Sequence, residues 1–201
     1  MPLYVNDGKA PIDSDGISVS VHAATNHAGI PGVGDLTSAA HATTNHSGIT
    51  GVGKVVRQVR ARTNTVITCA TALPFDDTIP QQTEGDEVIT VSITPGSTSN
   101  ILLIEFTCSV GTSTNSTTGA ALFRDAGADA IAAMVQDSGA GARVHDVVLR
   151  HYVTAPSTSP QTYKIRVGMV AGVCYVNGDT TGTRLYGGIQ YATLTVTEMT
   201  P

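Results

Sequence analysis

Apolar and polar residues alternate along most of the chain from about residue 55 onward. Val88–Ile93 and Tyr163–Met169 both show this period of two, which is the pattern of a strand with one buried face. Ile101–Phe106 is apolar at nearly every position. We therefore predict a central strand there, or a strand that lies between the core and a partner chain.

Further strands are expected where β-branched and aromatic residues cluster between turn residues. They are Val55–Arg62, Thr65–Cys69, Ala120–Arg124, Ala130–Val135, Val144–Thr154 and Ile189–Thr197. Asp125–Asp129 is expected to form a hairpin turn, and Asn177-Gly178 is a strong signal for a second hairpin. Roughly eight to ten short strands at about 8–15-residue spacing predict an all-β fold, a β-sandwich of jelly-roll-like type.

The chain before residue 55 has a different pattern, because it contains a repeat. His22–Gly34 recurs as His41–Gly53 at an offset of 19 residues, with ten of thirteen positions identical. Two units are too few for a solenoid, and frequent glycines cost backbone entropy in a helix or strand. We predict that residues 1–54 form an extended arm that docks on another surface, and that 55–201 form the β-domain. The apolar anchors of the arm are expected to be Ile30, Val33, Ile49 and Val52.

The composition suggests that much of the surface is covered by partners. Only 13% of the residues are charged, whereas a small soluble monomer normally needs more. The net charge is −5, with a pI of about 5.6, which argues against nucleic-acid binding because that function favours a basic surface. The only basic cluster is Arg57, Arg60 and Arg62.

Neither membrane insertion nor secretion is predicted. The chain has no apolar run of about 18 residues, and its first residues lack the apolar core of a signal peptide. Its three cysteines are widely spaced, and no Cys-x-x-Cys is present. Buried reduced thiols are therefore expected, consistent with assembly in a reducing cytosol.

Four of the six histidines lie in the repeat, as two His-x4-His pairs. They are His22, His27, His41 and His46. Around a symmetry axis such side chains could form metal-binding rings, since imidazole is a common ligand. They could equally cap turns in the glycine-rich segments. No second type of ligand accompanies them, so we predict no resident metal and no cofactor.

Catalytic motifs are not found. Gly48–Lys54 matches the spacing of a phosphate-binding loop, but Val55 stands where Ser or Thr should follow. Asp125–Asp129 lacks the distal glutamate of a calcium loop. The sequence contains no Gly-x-Ser-x-Gly elbow and no His-Glu-x-x-His. We predict that the protein is not an enzyme.

Several short motifs recur in a recognisable order. They are Val55-Val56-x-x-Val59-x-Ala61, Asp77-Thr78, Ile93-Thr-Pro95-x-Ser-x-Ser-Asn100-x-Leu-Leu-Ile104, Ala121–Asp125, Ala130–Ala132, Leu149–Tyr152 and Leu194–Glu198. Their order and spacing resemble a domain of tailed-bacteriophage fibre proteins, over residues 55–199. The Gly-Ile-x-Gly-Val-Gly segments resemble those beside such domains.

The resemblance implies a homotrimeric β-sandwich on a virion appendage, assembled in the bacterial host cytoplasm. The arm would attach it to other virion proteins of the capsid or tail. The expected function is adhesion to a host-surface glycan or protein; the alternative is a head fibre or capsid decoration protein that stabilises the head.

Two further sets of residues follow from this reading. We expect the trimer interface to bury one face of each of two predicted strands, and ligand contacts to lie in Ser/Thr/Asn-rich loops. The interface residues would be Ile101, Leu103, Leu194 and Val196, and the ligand-loop residues Asn115, Ser157 and Asn177.

Overall fold

The computed structural model of the protein describes residues 53–114, 117–137, 139 and 141–201. The chain divides after Val52 into two units, of which the second is Gly53–Pro201. The predicted anchors and the four histidines of the repeat lie outside the described residues. They are Ile30, Val33, Ile49 and Val52, and His22, His27, His41 and His46.

The described part of the chain consists of strands and connections, with one short 3-10 turn at Tyr186–Gly188. The strands are β1 (Val55–Thr63), β2 (Ile67–Cys69), β3 (Asp86–Ile93), β4 (Ile101–Thr112), β5 (Thr118–Arg124), β6 (Ala132–Gln136), β7 (Val144–Thr154), β8 (Gln161–Met169), β9 (Cys174–Val176) and β10 (Ala192–Met199). The all-β prediction is confirmed.

The central strand of the first sheet is β4, as its two-sided apolar pattern predicts. Strand β7 runs antiparallel to β4 along one side. On the other side, β10 pairs with the first half of β4 and β9 pairs with Val110–Thr112. Strand β1 then pairs with β10, and β2 with β9. We call this sheet 1.

Sheet 2 has the strand order β3-β8-β5-β6, and all its pairs are antiparallel. The chain crosses repeatedly between the two sheets, and β1 and β10, the first and last strands of the described residues, lie side by side in sheet 1. This arrangement is a two-sheet jelly roll, which confirms the predicted sandwich.

The core lies between the two sheets and is formed by alternate residues of each strand. Leu102, Ile104 and Phe106 of β4 are fully buried, as are Tyr163 and Ile165 of β8. The threonines of β10 alternate with its core residues. The predicted period-two pattern is therefore the pattern that the sandwich buries.

Residues 70–85 cover the outer face of sheet 2. Leu73 packs with Ala121 and Phe123 in a second apolar cluster, and its N–H donates to the Met169 carbonyl at 2.9 Å. The Asp86 carboxylate accepts hydrogen bonds from both N–H groups at residues 70 and 71, at 2.7 and 2.8 Å. Strand β5 is thus apolar on both faces and buried on both.

Two predicted elements differ from the structure. Asn177 has φ 60° and forms a turn, but no second strand follows; the next pairing is a single bridge between Gly178 and Arg184. Strand β10 begins at Ala192 rather than Ile189. The Asp125–Asp129 turn does join β5 to β6, as predicted. Within the described residues, no helix is long and apolar enough to cross a membrane.

Candidate functional site

The outer face of sheet 1 is the candidate functional surface. Its side chains point away from the core because their neighbours along each strand, such as Phe106 and Leu194, are fully buried. The strand register places four outward side chains in each row across β1, β10, β4 and β7. One row is Arg60, Thr195, Glu105 and Arg150; the next is Arg62, Thr193, Thr107 and Val148.

Every second outward position of β7 carries a large apolar side chain. Val144, Val148 and Tyr152 occupy alternate outward positions, and the last two are 55% and 56% exposed. Large apolar side chains that repeat along one strand face are normally covered in the working form of a protein.

An open groove of about 660 Å³ lies on the same face. Its floor includes Ser109 of β4, one wall is formed by Asp146 and Val148 of β7, and the other by Tyr186 and Tyr191. Tyr186 is 76% exposed, and Ile189 in the same segment is 79% exposed. The segment before β10 therefore adds to the apolar surface of β7.

The charges on this face have defined partners at some positions only. Arg150 forms an ion pair with Glu105, with 2.7 Å between Nη2 and Oε1. The Arg62 guanidinium lies 3.9 Å from the centre of the Tyr191 ring, a cation–π contact that holds it against the sheet.

One polar atom in the groove has no partner. The Gln190 Nε2 is buried, and no acceptor for it is found among the described residues. A buried donor without an acceptor costs free energy. An acceptor supplied by an occupant of the groove would satisfy it.

The predicted interface residues fall on two different sides of sheet 1. Ile101 and Leu103 lie half-exposed on the outer face. Leu194 and Val196 are fully buried in the core between the sheets, so their assignment to a trimer interface was wrong. The physical reason is that the outward positions of β10 are occupied by threonines, and its aliphatic face packs on sheet 2.

The predicted ligand-loop residues do not form one site. Asn177 is buried, and its Nδ2 donates to the carbonyls of Thr63 and Thr65 at 3.0 and 3.1 Å. It therefore holds a loop together and is not available to a ligand, which corrects that prediction. The Ser157 hydroxyl accepts a hydrogen bond from the Ser159 N–H. Asn115 lies outside the described residues.

The cysteines are buried and free. A hydrogen bond with Cys174, together with burial, raises the pKa of Cys69, and burial raises the pKa of Cys108. Such thiols are poor nucleophiles. Burial lowers the pKa of His145, opposed by the charge of Asp146. The described residues contain no group of three or more His, Cys, Asp or Glu placed to hold a metal.

Outward apolar residues on β7 could be recognised only in part from sequence. Val144–Thr154 has apolar residues at both parities, so alternation does not reveal which set is exposed. Tyr186 and Ile189 carry no strand pattern of their own, and sequence reasoning missed Tyr186 and placed Ile189 in the last strand.

Three of the solved structures that the chain matches are distantly similar to it. The chain matches dimeric latent PorU from Porphyromonas gingivalis with a TM-score of 0.31 and 5% identity, over 74% of this chain and 13% of that one. The enzymatically active domain of tailspike protein 4 from bacteriophage CBA120 gives a TM-score of 0.26 and 14% identity, over 61% and 19%. The IBDV viral particle gives 0.33 and 9%, over 73% and 38%. The chain thus spans much less than half of each of these chains, and such low scores support no functional argument.

No curated protein matches the chain. In contrast, the sequence profile of the Pgp3 C-terminal domain matches residues 60–201. The match covers most of the chain and nearly all of the jelly roll described above. The chain therefore belongs to the Pgp3 C-terminal domain family.

Proposed function

We propose that this protein is a structural protein without enzymatic activity, a homotrimeric appendage on the virion of a tailed bacteriophage. Its arm attaches it to other virion proteins, and its jelly roll self-associates through the outer face of sheet 1 and contacts the host surface. It is assembled in the cytoplasm of the host.

The observation that carries this proposal is the cluster of exposed apolar side chains on the β7 side of the outer face of sheet 1. Val148, Tyr152, Tyr186 and Ile189 are each more than half exposed on the isolated chain. Burial of apolar surface stabilises by about 25 cal/mol per Å², so covering these side chains with further copies of the chain favours association. The low charge content of the chain supports the same conclusion.

The strand ends place the start of the domain and two of its connections at opposite ends of the sandwich. The Lys54 N–H donates to the Thr200 hydroxyl at 3.0 Å, so the chain enters the jelly roll beside the end of β10. Because β4 runs antiparallel to β10, the β4–β5 and β6–β7 connections lie at the opposite end. Those connections are therefore placed to face outward when the chain is held through residues before Gly53.

The solution mass of the full-length chain, measured by light scattering, tests self-association through this face. We expect a trimer for the wild-type chain. Val148→Asp should shift the protein to monomer and weaken association at least about a hundredfold, because a carboxylate would be buried without a partner. Val135→Asp is the matched control, since Val135 is an equally exposed valine (56%) on sheet 2.

Two results would overturn the proposal. A monomeric wild-type chain would exclude the homotrimer. A Val148→Asp variant that remains trimeric would show that the copies meet elsewhere.

A further inference from the structure

The two sides of the outer face of sheet 1 differ in their chemistry. Strand β1 presents Arg60 and Arg62 outward, and both are exposed. Strand β7 presents Asp146 among apolar residues such as Val148. Strands β10 and β4 lie between them, so the two edges are about 14 Å apart at the usual spacing of neighbouring strands.

We propose that copies of this chain associate head to tail, with the β1 edge of one copy against the β7 edge and groove of the next. In this arrangement Arg60 and Arg62 of one copy face Asp146 of its neighbour. The inference rests on the proposed self-association and specifies which surfaces meet. An interface made of two different surfaces closes into a ring when the rotation between copies allows it.

The charges on the face point to this arrangement. Glu105 is already paired with Arg150, which leaves Asp146 as the acidic group on the β7 side that makes no hydrogen bond or ion pair with another described residue. Arg60 likewise makes none within the part of the chain that the structure describes. Bringing the two edges together would pair charges that the single chain leaves apart.

A symmetric contact between two β7 strands fits less well. It would bring Asp146 towards its own counterpart, and like charges across an interface are unfavourable. It would also leave Arg60 and Arg62 outside the contact. The head-to-tail arrangement avoids both problems while still covering Val148.

The groove contains a hydrogen-bond donor that the edge of a strand can satisfy. Among the described residues, strand β1 pairs with β10 and forms the edge of sheet 1, and the edge of a sheet offers backbone carbonyls to a neighbour. Such a carbonyl would supply the acceptor that the buried Gln190 Nε2 lacks. The Arg62 guanidinium, held over Tyr191, is already ordered for the contact.

Reversal of the charges on each edge tests the proposal in the full-length chain. The first variant is Arg60→Glu combined with Arg62→Glu, the second is Asp146→Arg, and the third carries all three substitutions. We expect each of the first two to weaken trimer association at least about tenfold, since close charge pairs across interfaces couple at this level or more. The third variant should associate with a strength within about threefold of that of the wild type.

Controls separate charge from folding. Arg60→Glu alone leaves the Arg62–Tyr191 contact intact and should still weaken association. Glu87→Arg reverses an exposed charge on sheet 2 and should have no effect. Melting temperatures of the variants should stay close to that of a monomeric Val148→Asp reference. Added salt should reduce the differences in association strength between the wild type and the charge variants, because exposed charges are screened.

The outcomes distinguish this inference from the proposed function. If the wild type is a trimer that Val148→Asp dissociates, but the triple variant is no better than the separate ones, the head-to-tail arrangement is wrong and self-association through this face stands. The same holds if the separate variants associate like the wild type. A monomeric wild type would overturn both.

Discussion

Glu198 shows how a single residue links the last strand to the turn before β4. Its side chain is fully buried, and its Oε1 accepts hydrogen bonds from the Asn100 Nδ2 at 2.6 Å and from the Gly96 N–H at 2.7 Å. Its Oε2 has no partner among the described residues. The carboxylate therefore depends on two donors from the turn that precedes β4.

We predict that Asn100→Ala lowers the free energy of unfolding by about 2–3 kcal/mol, because it removes one of the two donors to a buried carboxylate. Chemical denaturation measures the change. Ser99→Ala, at the exposed neighbouring position, should stay within about 0.5 kcal/mol of the wild type. An unchanged stability for Asn100→Ala would mean that Glu198 does not rely on this bond.

The motifs found in the sequence include Asn100 and Glu198, but they could not show that these two residues contact each other. Asn100 and Glu198 belong to two of the motifs that resemble phage fibre domains, and they are 98 positions apart. Spacing along the chain cannot show that they meet, because the contact depends on β10 pairing with β4. At the residue scale, Asn177 was similarly misassigned to ligand binding, since a polar loop residue and a buried structural amide look alike in sequence.

At the scale of elements, the segment over sheet 2 is held by close backbone contact. A Cβ added at Gly168 would lie 2.9 Å from the Thr71 carbonyl oxygen and 3.0 Å from the Gly85 Cα. These are backbone atoms, which cannot move aside as the end of a side chain can. Residue 168 must therefore be glycine for residues 70–85 to lie as they do.

Gly168→Ala is expected to destabilise the protein by about 1–3 kcal/mol, the usual cost of overpacking. The midpoint of thermal unfolding would measure it. Gly96→Ala is a suitable control, because its Cβ would meet only the Glu198 Oε1, at 3.5 Å, which is an ordinary contact. Equal stability of the two variants would show that the segment adjusts without cost.

Strands were the most predictable elements, and connections the least. Alternation in β3 and β8 was sufficient because each of these strands has one face in the core. The packing of residues 70–85 on sheet 2 was not predicted. That packing depends on Gly119 and Gly168 lying beside each other in adjacent strands, which only the folded sheet reveals.

At the scale of the whole molecule, the low content of charged residues predicted that part of the surface is covered by partners, but not which part. In β7, apolar residues occur at both parities, so alternation is compatible with either face being buried. The pairing of β7 with β4 decides which face of β7 is buried. Leu102 and Phe106 of β4 point into the core, so the residues next to them on β4 point outward, and Val148 lies on that same outer face.

The hypothesis that the protein adheres to the host surface concerns the whole assembled molecule. We expect excess full-length protein to bind susceptible host cells and to lower infection by the phage that carries it, because the assembled trimer would occupy the receptor. Counting plaques with and without added protein measures this, with Val148→Asp as the non-assembling control. Binding to capsids that lack the protein, without any effect on infection, would favour the decoration alternative.

The pairing of β1 with β10 also sets how the domain bears mechanical load. Gln58 to Thr63 pair in antiparallel register with Thr197 to Ala192, and such hydrogen bonds lie perpendicular to the strands. A pull between Val55 and the far end of the sandwich runs along the strands, so the pairs are sheared and must break together. A pull between Val55 and Thr200 peels them apart one after another. An appendage held through the arm and gripped at the opposite end is therefore loaded in its stronger direction.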